Sequence, residues 1–149
     1  MIRTSVKAVI IRDGHILLTA CRDENGEFFL LPGGGQERFE SLPDALRREC
    51  REEIATDVEV GQLLVVRDYI ARNHEFAALE PETHQLEIMF ACHVPADYVP
   101  ANGAIPDPKQ VGVKWIPLAE LANVRLYPAA LAPLLVQRPL VATYLGDVN

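Results

Sequence analysis

A glycine-rich turn that leads directly into a short acidic helix constrains this chain more than any other feature. The segment from Gly33 to Thr56 reads GGGQERFESLPDALRRECREEIAT. Because a helix advances ~100° per residue, three of its glutamates share one arc and three apolar residues share the neighbouring arc. The acidic arc holds Glu49, Glu52 and Glu53, and the apolar arc holds Leu46, Cys50 and Ile54. The segment therefore predicts a helix with a core face and an acidic face.

The acidic face predicts a bound cation. Like charges one helical turn apart repel each other by about 0.2–0.5 kcal/mol per pair, so the cluster needs a compensating charge. Ligands that are all oxygen suit a hard divalent ion, Mg²⁺ or Mn²⁺. The simpler alternative is a solvated face on which Arg48 and Arg51 act as ordinary helical ion-pair partners. Composition alone favours that alternative.

The spacing of the charged residues decides against it, because it resembles the Nudix box, G-x5-E-x7-R-E-U-x-E-E-x-G-U, in which U is bulky and aliphatic. The matching positions are Gly34, Glu40, Arg48, Glu49, Glu52 and Glu53. The positions that depart from the pattern are Cys50, Ala55 and Thr56. Every charged position matches, and the departures affect packing and the end of the helix.

The resemblance implies an α/β fold, a Nudix-type α/β/α sandwich with a mixed sheet, and it implies a role for each matched residue. The metal ligands would be the Gly34 carbonyl and the carboxylates of Glu49, Glu52 and Glu53. Glu40 would order Arg48, which would orient those ligands. Glu52 or Glu53 would serve as the general base, or a carboxylate from a distant loop would do so. The distant candidates are Glu75, Glu80, Glu82 and Asp97.

The implied activity is divalent-metal-dependent hydrolysis of a phosphoanhydride bond by water attack at phosphorus. The expected substrate is a small nucleotide, either a nucleoside triphosphate or a nucleoside diphosphate derivative. Sequence markers of the ADP-ribose, NADH and coenzyme A subfamilies are missing. One alternative is a Nudix-like regulatory module that binds a nucleotide without hydrolysis, but such modules usually lose a box carboxylate. A second alternative, an isoprenoid diphosphate isomerase, would need a reactive cysteine and further motifs.

Composition narrows the class of protein. With 149 residues, about half of them apolar, residues 1–149 are expected to form a single Nudix hydrolase domain. The net charge of −7 argues against nucleic-acid binding. Three widely spaced cysteines, without a CxxC pair or an apolar leader, indicate reduced thiols and a cytoplasmic protein without membrane contact. The sequence leaves a homodimer open.

Hydrophobic periodicity and turn residues predict the other elements. Strands are expected over residues 4–11, 15–21, 27–31, 58–72, 85–94 and 111–116, with loops at 73–84 and 95–108. A helical turn is expected at 118–122 and a final helix at 128–137. Ser41 caps the acidic helix together with Asp44. Because Ala55 replaces the glycine that usually ends this helix, we expect the helix to continue through Thr56 and stop near Asp57.

The histidines and exposed aromatic residues carry weaker signals. His15, His74, His84 and His93 show no zinc-ligand spacing, so structural or surface roles are expected for them. Trp115 is expected in the core. Tyr127 and Phe76 are expected to pack within the protein, with stacking on a nucleobase as the alternative.

Overall fold

The computed structural model describes all 149 residues as a curved mixed β-sheet with one long helix and one short helix. The strands are β1 (Arg3–Arg12), β2 (His15–Asp23), β3 (Gly26–Leu30), β4 (Gly33–Gly35), β5 (Glu59–Ile70), β6 (His84–His93), β7 (Gln110–Pro117), β8 (Leu126–Tyr127) and β9 (Thr143–Asp147). The helices are α1 (Leu42–Ile54) and α2 (Leu131–Leu135), and 3-10 turns occupy Ala71–Asn73 and Leu118–Asn123.

Strand β1 lies at the centre of the sheet. The strand order is β8-β3-β2-β1-β6-β5-β9, with β4 added to β1 and β7 added to β2. Strand β1 runs parallel to β6, so that Lys7 lies opposite Met89, and antiparallel to β4, so that Lys7 lies opposite Gly33. The glycine turn of the acidic motif is therefore attached to the central strand.

Side chains of β1 point alternately into two separate cores, because successive residues of a strand face opposite sides of the sheet. Val6, Ala8 and Ile10 pack in the same cluster as α1, which contributes Ala45, Leu46, Cys50 and Ile54. Val9 packs in the second cluster, to which α2 contributes Leu131, Ala132 and Leu135. One helix covers each core, and the predicted α/β sandwich with a mixed sheet is confirmed. Full burial of Leu46 holds α1 on the sheet with roughly 1.5–3 kcal/mol.

Helix α1 begins where the sequence predicts. Ser41 is the N-cap, and its Oγ accepts a hydrogen bond from the Asp44 N–H at 3.2 Å and donates one to Asp44 Oδ2 at 2.8 Å. This pairing satisfies one of the free N–H groups of the first turn. Pro43 lies in the same turn, where no helical N–H bond is lost.

The predicted end of α1 is wrong. The helix stops at Ile54, and Ala55 adopts the left-handed conformation with φ 61° and ψ 35°. A longer helix would join the Thr56 N–H to the Glu52 carbonyl, but that carbonyl accepts the Ile105 N–H at 3.0 Å instead. A contact from a distant loop therefore ends the helix, and the alanine bears a backbone strain of about 1–2 kcal/mol.

Two other predictions need correction, and strand β9 was missed. The final helix is shorter than 128–137, because Pro133 has no N–H to donate and another proline, Pro139, follows closely. The glycine turn at Gly33–Gly35 is itself a short strand paired with β1. Strand β9 was not predicted, since its partner β5 lies far away in the sequence.

The longer of the two helices has 13 residues, and neither is long and apolar enough to cross a membrane.

Candidate active site

Arg48 is the centre of a charged network on the exposed side of α1. Its guanidinium group makes two hydrogen bonds to Glu40, from Nε to Oε2 at 3.1 Å and from Nη2 to Oε1 at 2.7 Å. Nη1 lies 3.0 Å from Glu49 Oε1 and 3.5 Å from Glu52 Oε2, and Nη2 also donates to the Gly35 carbonyl at 2.9 Å. The Arg48 side chain thus links three glutamates of the motif with the glycine turn: Glu40, Glu49, Glu52 and Gly35.

Glu40 and Arg48 stabilise each other's charged forms. The two hydrogen bonds from Arg48 are the main reason that the pKa of Glu40 is lowered, and a hydrogen bond from the Glu37 N–H adds to the effect. The same pairing with Glu40 raises the pKa of Arg48. The planar fork of a guanidinium group fits a carboxylate in two places at once, which fixes its orientation. The arrangement therefore holds Arg48 against the acidic face of the helix.

Gly34 lies directly against the carboxylate of Glu49. A Cβ atom added to Gly34 would lie 2.7 Å from the Cδ and from both carboxylate oxygens of Glu49. With Glu49 in this rotamer, only a residue without a side chain leaves room for the carboxylate beside the backbone. The Gly34 carbonyl accepts a hydrogen bond from Ser5 Oγ at 3.2 Å. The glycine turn and the acidic helix are thus in direct contact at Gly34 and Glu49.

Glu53 is buried beneath the same turn. It is 7% exposed, and its Oε1 accepts a hydrogen bond from the Gly33 N–H at 2.8 Å. Burial raises the pKa of Glu53 to about 7, while the Lys7 ammonium and the Gly33 N–H act in the opposite direction. The negative charges of Glu49 and Asp107 add to the increase. A carboxylate that is this poorly hydrated needs a nearby positive charge to stay ionised.

The three glutamates lie together on the acidic face but do not converge on one point. Glu49 and Glu52 turn toward Arg48, whereas Glu53 turns toward Gly33. No three His, Cys, Asp or Glu side chains are close enough to coordinate one ion in their present rotamers. The donor set fits a hard divalent cation, since all of it is oxygen and Gly34 leaves the carboxylate space beside the backbone. Side-chain rotation of Glu49 and Glu52 away from Arg48 would complete such a site.

A segment that the sequence did not connect with the site holds the C-terminal end of α1. Residues 95–108 form the predicted loop, and their N–H groups reach the last carbonyls of the helix. Gly103 N–H and Gln110 Nε2 donate to the Glu53 carbonyl at 3.0 and 2.8 Å. Tyr98 Oη donates to the Ile54 carbonyl at 2.7 Å. These contacts replace the helical bonds that are missing at the end of every helix.

The distant carboxylates considered as bases make contacts elsewhere. Glu80 accepts a hydrogen bond from Tyr69 Oη at 2.9 Å, Glu82 from Arg72 Nη2 at 3.3 Å, and Glu75 from Asn149 Nδ2 at 3.2 Å. Asp97 is exposed. Asp107, which was not predicted to lie near the site, is the loop carboxylate whose charge acts on Glu53. Its position one residue before Pro108 gave no signal of this proximity.

The cysteines and histidines do not extend the site. All three cysteines are free and buried, and burial raises the pKa of the Cys21 thiol to about 11 and that of Cys92 to about 12. Burial also raises the pKa of Cys50. A thiol of this kind is a poor nucleophile at neutral pH. His74 and His84 bind Asp147 and Asp68 at 2.7 and 2.9 Å, and His93 is exposed at the end of β6.

A comparison with protein-family models matches residues 1–136 to the NUDIX domain. The chain belongs to the NUDIX family. This confirms the family resemblance of the glycine turn and acidic helix, and it confirms the predicted enzyme class, a Nudix pyrophosphohydrolase that acts on acid anhydrides.

Known Nudix proteins resemble the chain in sequence and in fold. A nucleoside triphosphatase, NudI of Salmonella agona, is 33% identical over 95 residues, which are 60% of this chain and 67% of the relative. The crystal structure of a MutT NUDIX hydrolase from Burkholderia pseudomallei superposes with a TM-score of 0.68 at 26% identity, covering 92% of this chain and 99% of that protein.

An ADP-ribose pyrophosphatase from Streptococcus suis shares the fold alone, with a TM-score of 0.63 at 19% identity over 99% of this chain and 100% of that protein. The same architecture is thus found in a structure named as a MutT hydrolase and in one named as an ADP-ribose pyrophosphatase. It follows that the fold does not select the substrate of this chain.

Proposed function

We propose that this Nudix protein hydrolyses a phosphoanhydride bond of a small nucleotide, with a divalent metal ion, Mg²⁺ or Mn²⁺, held on the acidic face of α1. The observation that carries the proposal is the close approach of Glu49 to Gly34, where a Cβ would lie 2.7 Å from both carboxylate oxygens. The proposed ligands are the Gly34 carbonyl and the carboxylates of Glu49, Glu52 and Glu53.

The ion, when bound, would neutralise phosphate oxygens and lower the pKa of a water molecule at the site. The chain's own residues do the rest. Glu52 or Glu53 accepts the proton from the attacking water. Glu40 holds Arg48, and the contact of Arg48 with Glu49 sets the position from which Glu49 turns to the ion. Both arginine contacts lie at hydrogen-bond distance in the structure.

Burial suits Glu53 to this environment. A carboxylate in a dry site interacts more strongly with a cation than one in water does. Glu53 is 7% exposed, so that its charge depends on nearby cations and on the Gly33 N–H. The Glu53 carbonyl is held by the loop at residues 95–108, which limits the freedom of the side chain to move away from the turn.

The substrate is proposed as a nucleoside triphosphate, with oxidised forms and nucleoside diphosphate derivatives as further candidates. The likeness to a nucleoside triphosphatase of Salmonella agona supports triphosphates first. The absence of the ADP-ribose, NADH and coenzyme A markers lowers the rank of those three. The cytoplasmic location and the homodimer stay predictions.

A hydrolysis screen tests the proposal. Purified protein is incubated with a panel of nucleotides in Mg²⁺, in Mn²⁺ and in EDTA, and the products are identified by mass. Running the reaction in ¹⁸O-labelled water shows which phosphorus is attacked. We expect metal-dependent release of pyrophosphate or of a nucleoside monophosphate. Tight nucleotide binding without turnover would instead support the non-catalytic module, and Glu49→Gln serves as the inactive control.

A further inference from the structure

A narrow cleft of about 30 Å³ lies between β1, β5 and β6 on one side and the β3 and β8 segments on the other. Its apolar walls include Leu30, Leu31, Met89 and Pro128, and Tyr127 contributes an aromatic edge. Three charged side chains line the same space: Lys7, Arg67 and Glu87. A cleft of this volume holds only one or two water molecules, so a larger ligand would contact these side chains from its mouth.

Two of the three charges neutralise each other. Arg67 and Glu87 are 5% and 6% exposed, and Arg67 Nε donates to Glu87 Oε2. Arg67 Nη1 is also fixed by the Val148 carbonyl at 2.5 Å. The pair therefore forms a buried wall of the cleft without net charge.

Lys7 is the remaining charge. Its Nζ donates to the Gly33 carbonyl at 3.1 Å and lies 3.5 Å from the Leu31 carbonyl. No carboxylate lies within 4.0 Å of it, whereas the exposed Lys114 is paired with Glu27 at 2.9 Å. An ammonium group has three donors, so the two hydrogen bonds to backbone carbonyls leave Lys7 one donor for a ligand.

The position of Lys7 connects the cleft with the glycine turn. Its strand neighbour is Gly33, whose N–H binds Glu53 and whose carbonyl binds Lys7. The Lys7 ammonium and the Glu53 carboxylate are therefore bound to opposite polar groups of the same glycine. An unpaired cation at that point fits an anionic group and repels a cationic one.

Resting on the proposed function, we propose that Lys7 binds a phosphate oxygen of the substrate and so holds the anhydride beside the glycine turn. Lys7 is then a substrate-binding residue from β1, outside the glycine turn and the helix. A narrower role is that Lys7 only offsets the charge of Glu53. The two roles differ in what happens to an added anion, since only the proposed one gives Lys7 an external partner.

Lysine footprinting tests this on the unmodified protein. The lysines of the chain are Lys7, Lys109 and Lys114, so each can be followed by mass spectrometry after acylation. Inorganic pyrophosphate with Mg²⁺ is the probe. We expect pyrophosphate to slow the modification of Lys7 by several-fold and to leave Lys109 and Lys114 unchanged. Equal protection of all three, or of none, would overturn the proposal.

Variants give the second measurement. Lys7→Met should weaken pyrophosphate binding, measured by calorimetry in Mg²⁺, by about 10-fold or more, because a hydrogen bond to a charged group is lost. Lys7→Arg should recover part of the affinity, and Lys114→Met should match the wild type. Lys7→Gln replaces Lys7→Met if the latter does not fold, as checked by circular dichroism. Unchanged pyrophosphate affinity in a folded Lys7 variant would contradict the role.

Different outcomes test the proposed function and the role of Lys7. If no nucleotide is hydrolysed but pyrophosphate still protects Lys7, the proposed function is wrong and the anion site stands. If hydrolysis occurs while the KM and kcat of Lys7→Met equal those of the wild type, the function stands and Lys7 does not bind the phosphate. A shift in base preference without a change in pyrophosphate affinity would also overturn the phosphate contact, since it would place Lys7 against the base.

Discussion

The backbone N–H of Gly33 and the carboxylate of Glu53 are joined by a 2.8 Å hydrogen bond across 20 positions of sequence. The bond ties the glycine turn to the last turn of α1. It also places a buried carboxylate beneath the backbone that Gly34 continues. The geometry of the acidic face therefore depends on both ends of the motif.

Removing a charge from the acidic face should abolish most activity. Glu49→Gln and Glu53→Gln keep the side-chain shape but lose a ligand or a base, so kcat should fall by roughly 10²–10⁴-fold while the fold survives. Metal-dependent kinetics and circular dichroism measure the two effects. Glu59→Gln, at an exposed position of β5, is the control. If both variants kept near wild-type rates, α1 would not be the active helix.

The Glu40–Arg48 pair should act on activity through orientation. Arg48→Lys keeps the charge but removes the fork that binds both oxygens of Glu40. We expect activity or metal affinity to fall by about 10–100-fold, as is typical for groups that orient metal ligands. Titration of the variant with Mn²⁺ separates a loss of metal affinity from a loss of activity at saturating metal. Arg47→Lys, whose partner is the exposed Asp44, should behave like the wild type.

Replacing the left-handed residue after α1, Ala55, by glycine should stabilise the protein. Ala55 has φ 61°, so Ala55→Gly removes a strain of about 1 kcal/mol and should raise the melting temperature by about 2–4 °C. Ala101→Gly is the control, since Ala101 is exposed and has no positive φ. A lower melting temperature for Ala55→Gly would show that the helix continues past Ile54 in solution.

Steric contact at Gly103 gives a test of the loop that holds α1. A Cβ there would lie 2.1 Å from the Glu52 carbonyl oxygen, whereas a Cβ on Gly112 meets nothing within 4 Å. Gly103→Ala should therefore move the loop away from the helix, lowering stability by about 1–3 kcal/mol and also lowering kcat. Gly112→Ala should change neither. Urea unfolding and steady-state kinetics provide both values, and equal behaviour of the two variants would disprove the coupling.

Strand β9 should show a pH-dependent attachment through Asp147. Burial acts to raise the pKa of this carboxyl, but hydrogen bonds from Asn73, His74 and the Ile70 N–H outweigh it and lower the pKa from 3.8 to about 2. The ionised group thus stabilises the fold above pH 4, and this contribution is lost as the pH falls toward 2. In urea titrations, the stability difference between the wild type and Asp147→Asn should shrink over that range. A stability difference that stays constant over this pH range would contradict the proposed role of the Asp147 carboxylate.

The sequence predicted the fold class, the start of α1 and the residues of the acidic face because these depend on local rules. Ser41 caps its own helix, and the helical repeat brings Glu49, Glu52 and Glu53 together. The sequence did not predict the end of α1 at Ala55, because that end depends on Ile105, whose N–H binds the Glu52 carbonyl. It also gave no sign that Lys7 faces the same cleft as Arg67 and Glu87. These three side chains come together because their strands are neighbours in the sheet, and a single sequence does not reveal that pairing.

The hold of the 95–108 loop on the end of α1 has a consequence for how this protein tolerates change. The carbonyls of Glu52, Glu53 and Ile54 are satisfied by groups about 50 positions further along the chain. A random library screened for loss of turnover should therefore yield hits around Tyr98, Gly103 and Gln110, none of which was predicted to bind substrate. In this protein, lengthening that loop would be a more severe alteration than its surface location suggests.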